Sequence, residues 1–426
     1  MPRTARRPLL LAALTGTLVL SACGGGTGGG GDSAAEDAGT VTMWARAATS
    51  GQSQALVDAY NASHETQVQL TVVPTDNYLQ KVGVAAGSQD LPCLLAADVV
   101  YVPDFTAKNL FQDITERVDS LPFAEQLAPA HMAQGTRDGA RYVVPHTIGM
   151  SAIFQNDVLL QRAGIDPAAP ITSLRQLAEN ATRVAELGPD INGLYFTGNS
   201  GGSIAFTHFP SVWASGGTVL SEDGTSATLD DTGTAAAFQV YNDLFQAGVV
   251  PDSARNETGA TRNEVFAGGR VGYMLASNSV LETVTETDEV KIGVQGIPGV
   301  DGGVSTFVGG DAIGISSSCE QPDAAWDFLQ WSVGEEAQVQ VYAQSRQLTV
   351  RTDLTSNEYS AQDPRVQTLN ELVVEGQTPY SEKFGQTFND PQGPWLAVAR
   401  EALFGERPAA EALSAGQDAV TSSLAP

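Results

Sequence analysis

From Val41 onward the apolar positions of the chain follow two periods in turn. Val41-Thr42-Met43-Trp44 reads as a strand, and Val68, Leu70 and Val72, separated by Gln69 and Thr71, alternate as a half-buried strand does. Between them Leu56 and Tyr60 share one helical face, behind Thr49-Ser50, which offers an N-cap. A helix through Tyr78 to Ala86 follows. Then comes the apolar run Leu91 to Asp98, closed by an acid, with Pro103 placed to open another helix. Strand, helix, strand, helix, strand predicts an open α/β layer with a mainly parallel sheet.

The middle of the chain keeps the alternation. Arg141 to Asn156 is a long extended stretch with Pro145-His146-Thr147-Ile148-Gly149 at its centre. Leu174, Leu177, Ala178, Ala181, Val184 and Ala185 share one helical face, as do Ala237, Val240, Tyr241, Leu244 and Phe245. Ser173 and Asp231 stand as caps for these two helices. Strand patterns return at Val271 to Leu275, Val290 to Val294 and Asp311 to Ile315. The last quarter is mostly helical, with faces built from Ala325, Phe328 and Leu329 and from Leu396, Val398 and Leu403. No internal repeat is seen.

The first residues follow a different logic. Arg3, Arg6 and Arg7 precede the uncharged stretch Leu9 to Leu20, which is too short for a stable bilayer span and has the build of a signal peptide. It ends Leu20-Ser21-Ala22-Cys23, similar to the bacterial lipobox, in which the Cys is lipidated and becomes the first mature residue. Gly24 to Gly31, interrupted only by Thr27, and the following Asp32 to Asp37 cannot bury apolar surface and form a tether. Residues 1–22 are therefore read as a lipoprotein signal peptide and 23–40 as the lipidated Cys with its tether.

Charge narrows the partners. The 426 residues carry a formal charge of −27, and cleavage before Cys23 removes three arginines and no acid, so the mature chain is more acidic still. Nucleic acid is excluded, since phosphate affinity rests on clustered Lys and Arg. The 42% hydrophobic content is enough for real cores.

Catalytic chemistry was sought and one motif stands out. Gly198-Asn199-Ser200-Gly201-Gly202 fits the G-x-S-x-G elbow after the strand-like Gly193 to Phe196. The hydrolase order needs an acid and then a distant His after the Ser, and the one His that follows is His208, too near. A glycine-rich turn accounts for the motif better, although a secreted serine hydrolase using Ser200 stays as the rival of another class. The four histidines, His64, His131, His146 and His208, form no helix-face pair, and no Cys pair has metal-ligand spacing, so neither a metal nor a cofactor is expected.

Taken in order, the segments resemble the extracellular solute-binding proteins of ABC importers, in the carbohydrate-binding family that includes maltose-binding proteins. Val41 to Trp44 is like the opening strand, Ala55 to Asn61 the first helix, and Asp90-Leu91-Pro92 with its strand the third strand. Arg141-Tyr142-Val143-Val144-Pro145 is similar to the entry to the second lobe, followed by Phe154-Gln155-Asn156. Ala163 to Pro167, Phe266 to Met274, Ala324 to Leu329 and the late Trp395 complete the series. Two departures bear on the ligand rather than the fold: Ala276-Ser277-Asn278-Ser279 replaces a frequent aromatic platform, and Cys93 replaces an acid.

The resemblance implies an α/β two-lobe periplasmic-binding-protein fold of type II, with open mixed sheets flanked by helices and a ligand cleft between the lobes. Residues 41–145 plus 308–348 would form one lobe and 146–307 plus 349–426 the other. It implies a non-enzymatic, monomeric lipoprotein outside the cytoplasm, held to the cell membrane by lipid on Cys23. Such a receptor delivers a mono- or oligosaccharide to the permease subunits of an ABC importer; another polar solute, such as a glycerophosphodiester, is the alternative.

Ligands of open parallel sheets bind beyond the carboxyl ends of the strands. That rule selects Trp44, Arg46, Asp98, Tyr101, His146, Asn278, Gly310 and Asp311, with Trp395 as a stacking platform. Trp213, Trp326 and Trp331 read as core. Cys93 and Cys319 fall at the same distal end of lobe one and are candidates for a disulfide in an oxidising compartment.

Overall fold

The computed structural model describes residues 39–425 apart from Glu375. The signal segment, Cys23 and the glycine-rich tether lie outside the described residues. Residues 39 onward form one compact unit.

Its sheet runs in the order Gln67–Val73, Thr40–Arg46, Leu94–Asp98, Val308–Ile315, Val144–Asn156, Val271–Ser277 and Asn192–Tyr195, with Ile292–Gln295 also on Val144–Asn156. The first three strands are parallel, as their intervening helices require. Val308–Ile315 is antiparallel to both of its neighbours. Beyond the long strand, Asn192–Tyr195 is parallel to Val271–Ser277.

The long strand Val144–Asn156 belongs to two halves of the molecule. Val144 to Met150 pair with Val308–Ile315, whereas Ser151 to Asn156 pair with Val271–Ser277 and Ile292–Gln295. Nearly all of its residues are buried, because helices cover it on both faces. Two irregularities mark the crossing. Thr147 pairs with Asp311 but Pro145 with Ala312, so His146 is the extra residue of a bulge. Opposite it, Gly310 takes φ +105°, and a Cβ there would run into the Thr147 carbonyl.

The helices bear out the periodicity. Ser173 Oγ accepts from Gln176 N at 3.1 Å ahead of helix Leu174–Ala185, and Asp231 accepts from Gly233 N and Thr234 N ahead of Thr232–Gln246. Leu174, Leu177, Ala181 and Val184 are buried, as are Ala237, Tyr241 and Leu244. Thr49 differs. It precedes helix Ser50–Ser63, but its hydroxyl donates to Asp311 Oδ2 at 2.6 Å instead of accepting from the helix. Cys93 and Cys319 are paired, with their Cα atoms 4.3 Å apart, just before Leu94–Asp98 begins and after Val308–Ile315 ends. No helix among the described residues is long and apolar enough to cross a membrane.

Candidate functional site

Two parallel strands end near the place where the long strand changes halves, and their last residues meet there. Arg46 closes Thr40–Arg46 and Asp98 closes Leu94–Asp98, while sheet register sets Asp311 directly opposite Asp98. Arg46 Nε donates to Asp311 Oδ1 at 3.0 Å, its Nη2 donates to the same oxygen, and Nη1 lies 2.9 Å from Asp98 Oδ2. Burial alone would draw the Arg46 proton off more easily, but Asp311 and Asp98 outweigh it and hold the guanidinium protonated.

The two acids are not equivalent. Asp311 has 0% exposure and also accepts from Thr49 Oγ1, while its backbone N donates to Thr147 Oγ1 at 2.9 Å. Asp98 keeps 24% of its side chain exposed and accepts from Val100 N at 3.3 Å, capping the turn that follows it. Burial raises its carboxyl above the usual range, with Arg46 pulling the other way. Tyr101 follows on that turn and is partly exposed, its hydroxyl accepting from Asn389 Nδ2 at 2.9 Å. Beside Tyr101 lies a cavity of about 590 Å³ lined by Leu79, Phe105, Lys383 and Gln386 among others. That volume is in the range that holds small ligands.

The expected residues divide accordingly. Arg46, Asp98, His146, Gly310 and Asp311 come together at the crossing, and Tyr101 stands at its rim. Asp311 and His146 are enclosed where they stand. Asp311, one of the two acids selected by the strand-end rule, is enclosed as the counter-ion of Arg46. His146 is buried, its Nε2 2.9 Å from Ser53 Oγ. Asn278 is anchored to the backbone, its Oδ1 accepting from Met150 N and its own N donating to Met150 O. Trp44 is partly exposed beneath helix Tyr78–Ser88, with Lys81 Nζ 4.0 Å from its ring centroid, and lines a separate opening with Asn77, Gln80 and Val84.

Trp395 is the clearest correction. Its helix begins at Pro394, so the indole sits within the first turn and on the buried face with Ala399, Ala402 and Leu403. It has 0% exposure, donates Nε1–H to Gly201 O at 3.0 Å and meets Phe209, Phe388 and Phe238 edge-on or tilted. It is core, not a platform. A stacking surface missed in the sequence is Phe206, partly exposed beside Gly309 and 5.2 Å from Phe307 between centroids. Also missed is Arg262, whose Nη2 donates to Ser277 Oγ at 3.0 Å at the end of strand Val271–Ser277. It sits on a short helix ahead of that strand, so only the fold brings it to the strand end.

The hydrolase reading finds no geometry. Ser200 Oγ accepts from Ser203 N at 3.3 Å as the cap of helix Gly201–Ala214. His208 is enclosed by Phe196, Phe238 and Tyr241 with Nδ1 3.2 Å from Ile204 O, so it is not a base for Ser200. Among the described residues, no three of His, Cys, Asp and Glu gather to hold a metal ion. A phosphodiester, the alternative solute, would need a free cation, and Arg46 is already taken by two carboxylates.

Comparison with known proteins adds to this geometry. The sequence model of the family described as "Bacterial extracellular solute-binding protein" matches residues 47–339. Among solved structures, the chain is similar to a cyclic α-maltosyl-1,6-maltose binding protein from Arthrobacter globiformis, at 24% identity and TM-score 0.76 over 90% of this chain and 98% of that one. It is similar to the GacH receptor of Streptomyces glaucescens, solved with acarbose, at 23% identity and TM-score 0.76 over 91% and 98%. The sugar-binding protein MalE of Xanthomonas citri gives 17% identity and TM-score 0.79 over 90% and 97%. At these identities the likeness establishes the fold, two α/β lobes with a cleft between them. A search of curated protein sequences gave no match.

Proposed function

The chain belongs to the bacterial extracellular solute-binding protein family, and from that premise we propose that it is the receptor of an ABC importer. It takes a mono- or oligosaccharide between its lobes and hands it to the permease. The observation that carries this reading is Asp98. It is a carboxylate fixed by Arg46 at 2.9 Å yet 24% exposed at a strand end, one turn from the ring of Tyr101.

Sugars require that mixture. Their hydroxyl pairs donate to a fixed carboxylate, and their C–H faces lie on an aromatic ring. Because Asp98 is already oriented, little is spent on ordering it when the solute arrives. The structural neighbours solved with or named for maltosyl sugars and acarbose support the same class of solute. Two lobes on a shared strand provide closure by hinge bending.

The lipid on Cys23 and the tether after it complete the reading: the receptor stays at the outer face of the cell membrane. The support is Leu20-Ser21-Ala22-Cys23 directly behind an uncharged apolar stretch.

A thermal-shift panel of mono-, di- and trisaccharides tests the function. A bound sugar raises Tm by mass action, and Asp98→Ala abolishes the rise. Absence of any response across the panel would end the carbohydrate reading.

A further inference from the structure

The lobe-two strands Asn192–Tyr195 and Val271–Ser277 are parallel, so their carboxyl ends open on the same side. Thr197 follows the first and Ser277 ends the second. Arg262 stands between them in the chain and Ser203 is in the first turn of helix Gly201–Ala214. A Cβ placed on Gly259 would have as its nearest neighbours Arg262 Nη1 at 3.3 Å, Thr197 Oγ1 at 3.7 Å and Ser203 Oγ at 3.8 Å. Three polar side-chain atoms therefore converge on one small space. Gly259 holds φ +99°, where side chains are disfavoured, which keeps that space free.

Two of the polar groups have unmet needs. Thr197 has 0% exposure, and its hydroxyl finds no hydrogen-bond partner among the described residues; the same holds for Arg262 Nε. Arg262 also makes no ion pair within 4.0 Å among the described residues. Glu257 is the acid that acts on it, but that carboxylate accepts from Gly259 N, from Thr261 N and Oγ1, and from Tyr195 OH. Burial makes the guanidinium easier to deprotonate than usual, and Glu257 only partly offsets this. A buried Nε–H and a buried hydroxyl left without partners cost stability unless something else completes them. Access exists, since Ser203, Gly259, Arg262, Ser277 and Ser279 are all partly exposed.

We propose that the space bounded by Arg262, Thr197, Ser203 and Gly259 is a subsite for an acidic oxygen group of the solute, a carboxylate or phosphate ester. A neutral hydroxyl would supply an acceptor but no counter-charge, whereas an oxyanion supplies both and suits the planar fork of Arg262. Nη2 is already steadied by Ser277 Oγ, itself 2.6 Å from Ser279 Oγ, so the remaining N–H groups face the group in a fixed orientation. This inference rests on the reading of the chain as a solute receptor and narrows its ligand to a carbohydrate or polyol bearing an acid.

The test is calorimetric titration of matched pairs: glucose against glucuronate, galactose against galacturonate, and glucose against glucose 1-phosphate. In at least one pair the acidic member binds about tenfold or more tightly, and added salt weakens it. Arg262→Gln removes that advantage and Arg262→Lys retains part of it, with circular dichroism melts establishing that both variants are folded. Thr197→Val weakens the acidic member by a smaller factor. If neutral members bind as well as acidic ones in every pair and Arg262→Gln changes no Kd more than about threefold, the inference is wrong and the receptor reading stands. If no member of any pair binds, the inference is wrong, and the di- and trisaccharides of the thermal-shift panel decide the receptor reading separately.

Discussion

Arg46 and Asp311, 265 residues apart in the chain, are joined by hydrogen bonds from Nε and Nη2 to the same carboxylate oxygen. The pair is buried, and it ties the end of the first strand to the strand that returns from the other half of the molecule. Taking away one member leaves a charge in a place with little water to solvate it. Asp311→Ala is therefore expected to cost about 3–5 kcal/mol of stability. Chemical denaturation measures this. Replacing Arg46 and Asp311 together by apolar residues should cost less than Asp311→Ala alone. A loss below about 1 kcal/mol for Asp311→Ala would show that Asp98 suffices to hold Arg46.

Buried histidines set the acid limit. Burial pushes His131 and His146 down to about 4 and His208 to about 3, from an ordinary value of 6.5. As pH falls through that ordinary value the unfolded chain gains protons that the folded chain refuses. Stability is therefore steady above it and declines towards pH 4. Each such histidine adds a slope approaching about 1.4 kcal/mol per pH unit. Asp98, whose carboxyl is raised, works in the opposite sense by taking a proton earlier in the folded state. Urea midpoints between about pH 7 and pH 5 should fall, and His208→Phe, which keeps the aromatic packing, should flatten the fall. An unchanged slope in that variant would remove His208 from the account.

Ser200 offers a test of cap against nucleophile. Ser200→Ala should lower stability by about 1 kcal/mol through the lost acceptor for Ser203 N. Sugar binding in the thermal-shift panel should persist. An ester-hydrolysing activity that vanished with Ser200→Ala would restore the enzyme reading.

The pairing of Cys93 with Cys319 closes a loop of 226 residues. Alkylation of unreduced, denatured protein should label neither of them, and reduction should lower stability by about 2–5 kcal/mol. Labelling of both residues without reductant would refute the bond.

Elements with strong local patterns were legible in the sequence. Ser173 and Asp231 cap the helices they precede because the cap is a contact between near neighbours, fixed by the local chain. The strand-end rule also found Arg46, Asp98 and Asp311, since the parallel strands carry Arg46 and Asp98 to one edge and the antiparallel return strand sets Asp311 opposite Asp98 there. It could not tell a residue that faces solute from one that holds another in place. That distinction was set by register, which put Asp311 opposite both Asp98 and Thr147 and left only Asp98 with a free face. Trp395 failed for a local reason. Its helix begins at Pro394, one residue before it, and that start turns the indole onto the buried side. Arg262 and Phe206 gave no signal, because each reaches the site from a helix and owes its place to the packing of distant segments.

Between Cys93 and Asp98 one strand lies beside the strand from Asp311 to Cys319, laced at one end by sulfur and at the other by the guanidinium of Arg46. Fastened at both ends, the two behave as a single stiff blade that cannot shear along its length. The strand leaves the lacing at Gly309 and Gly310, and Gly310 holds φ +105°, a conformation that only glycine adopts easily. The stiff part of this strand therefore ends where those two glycines begin, beside the bulge at His146.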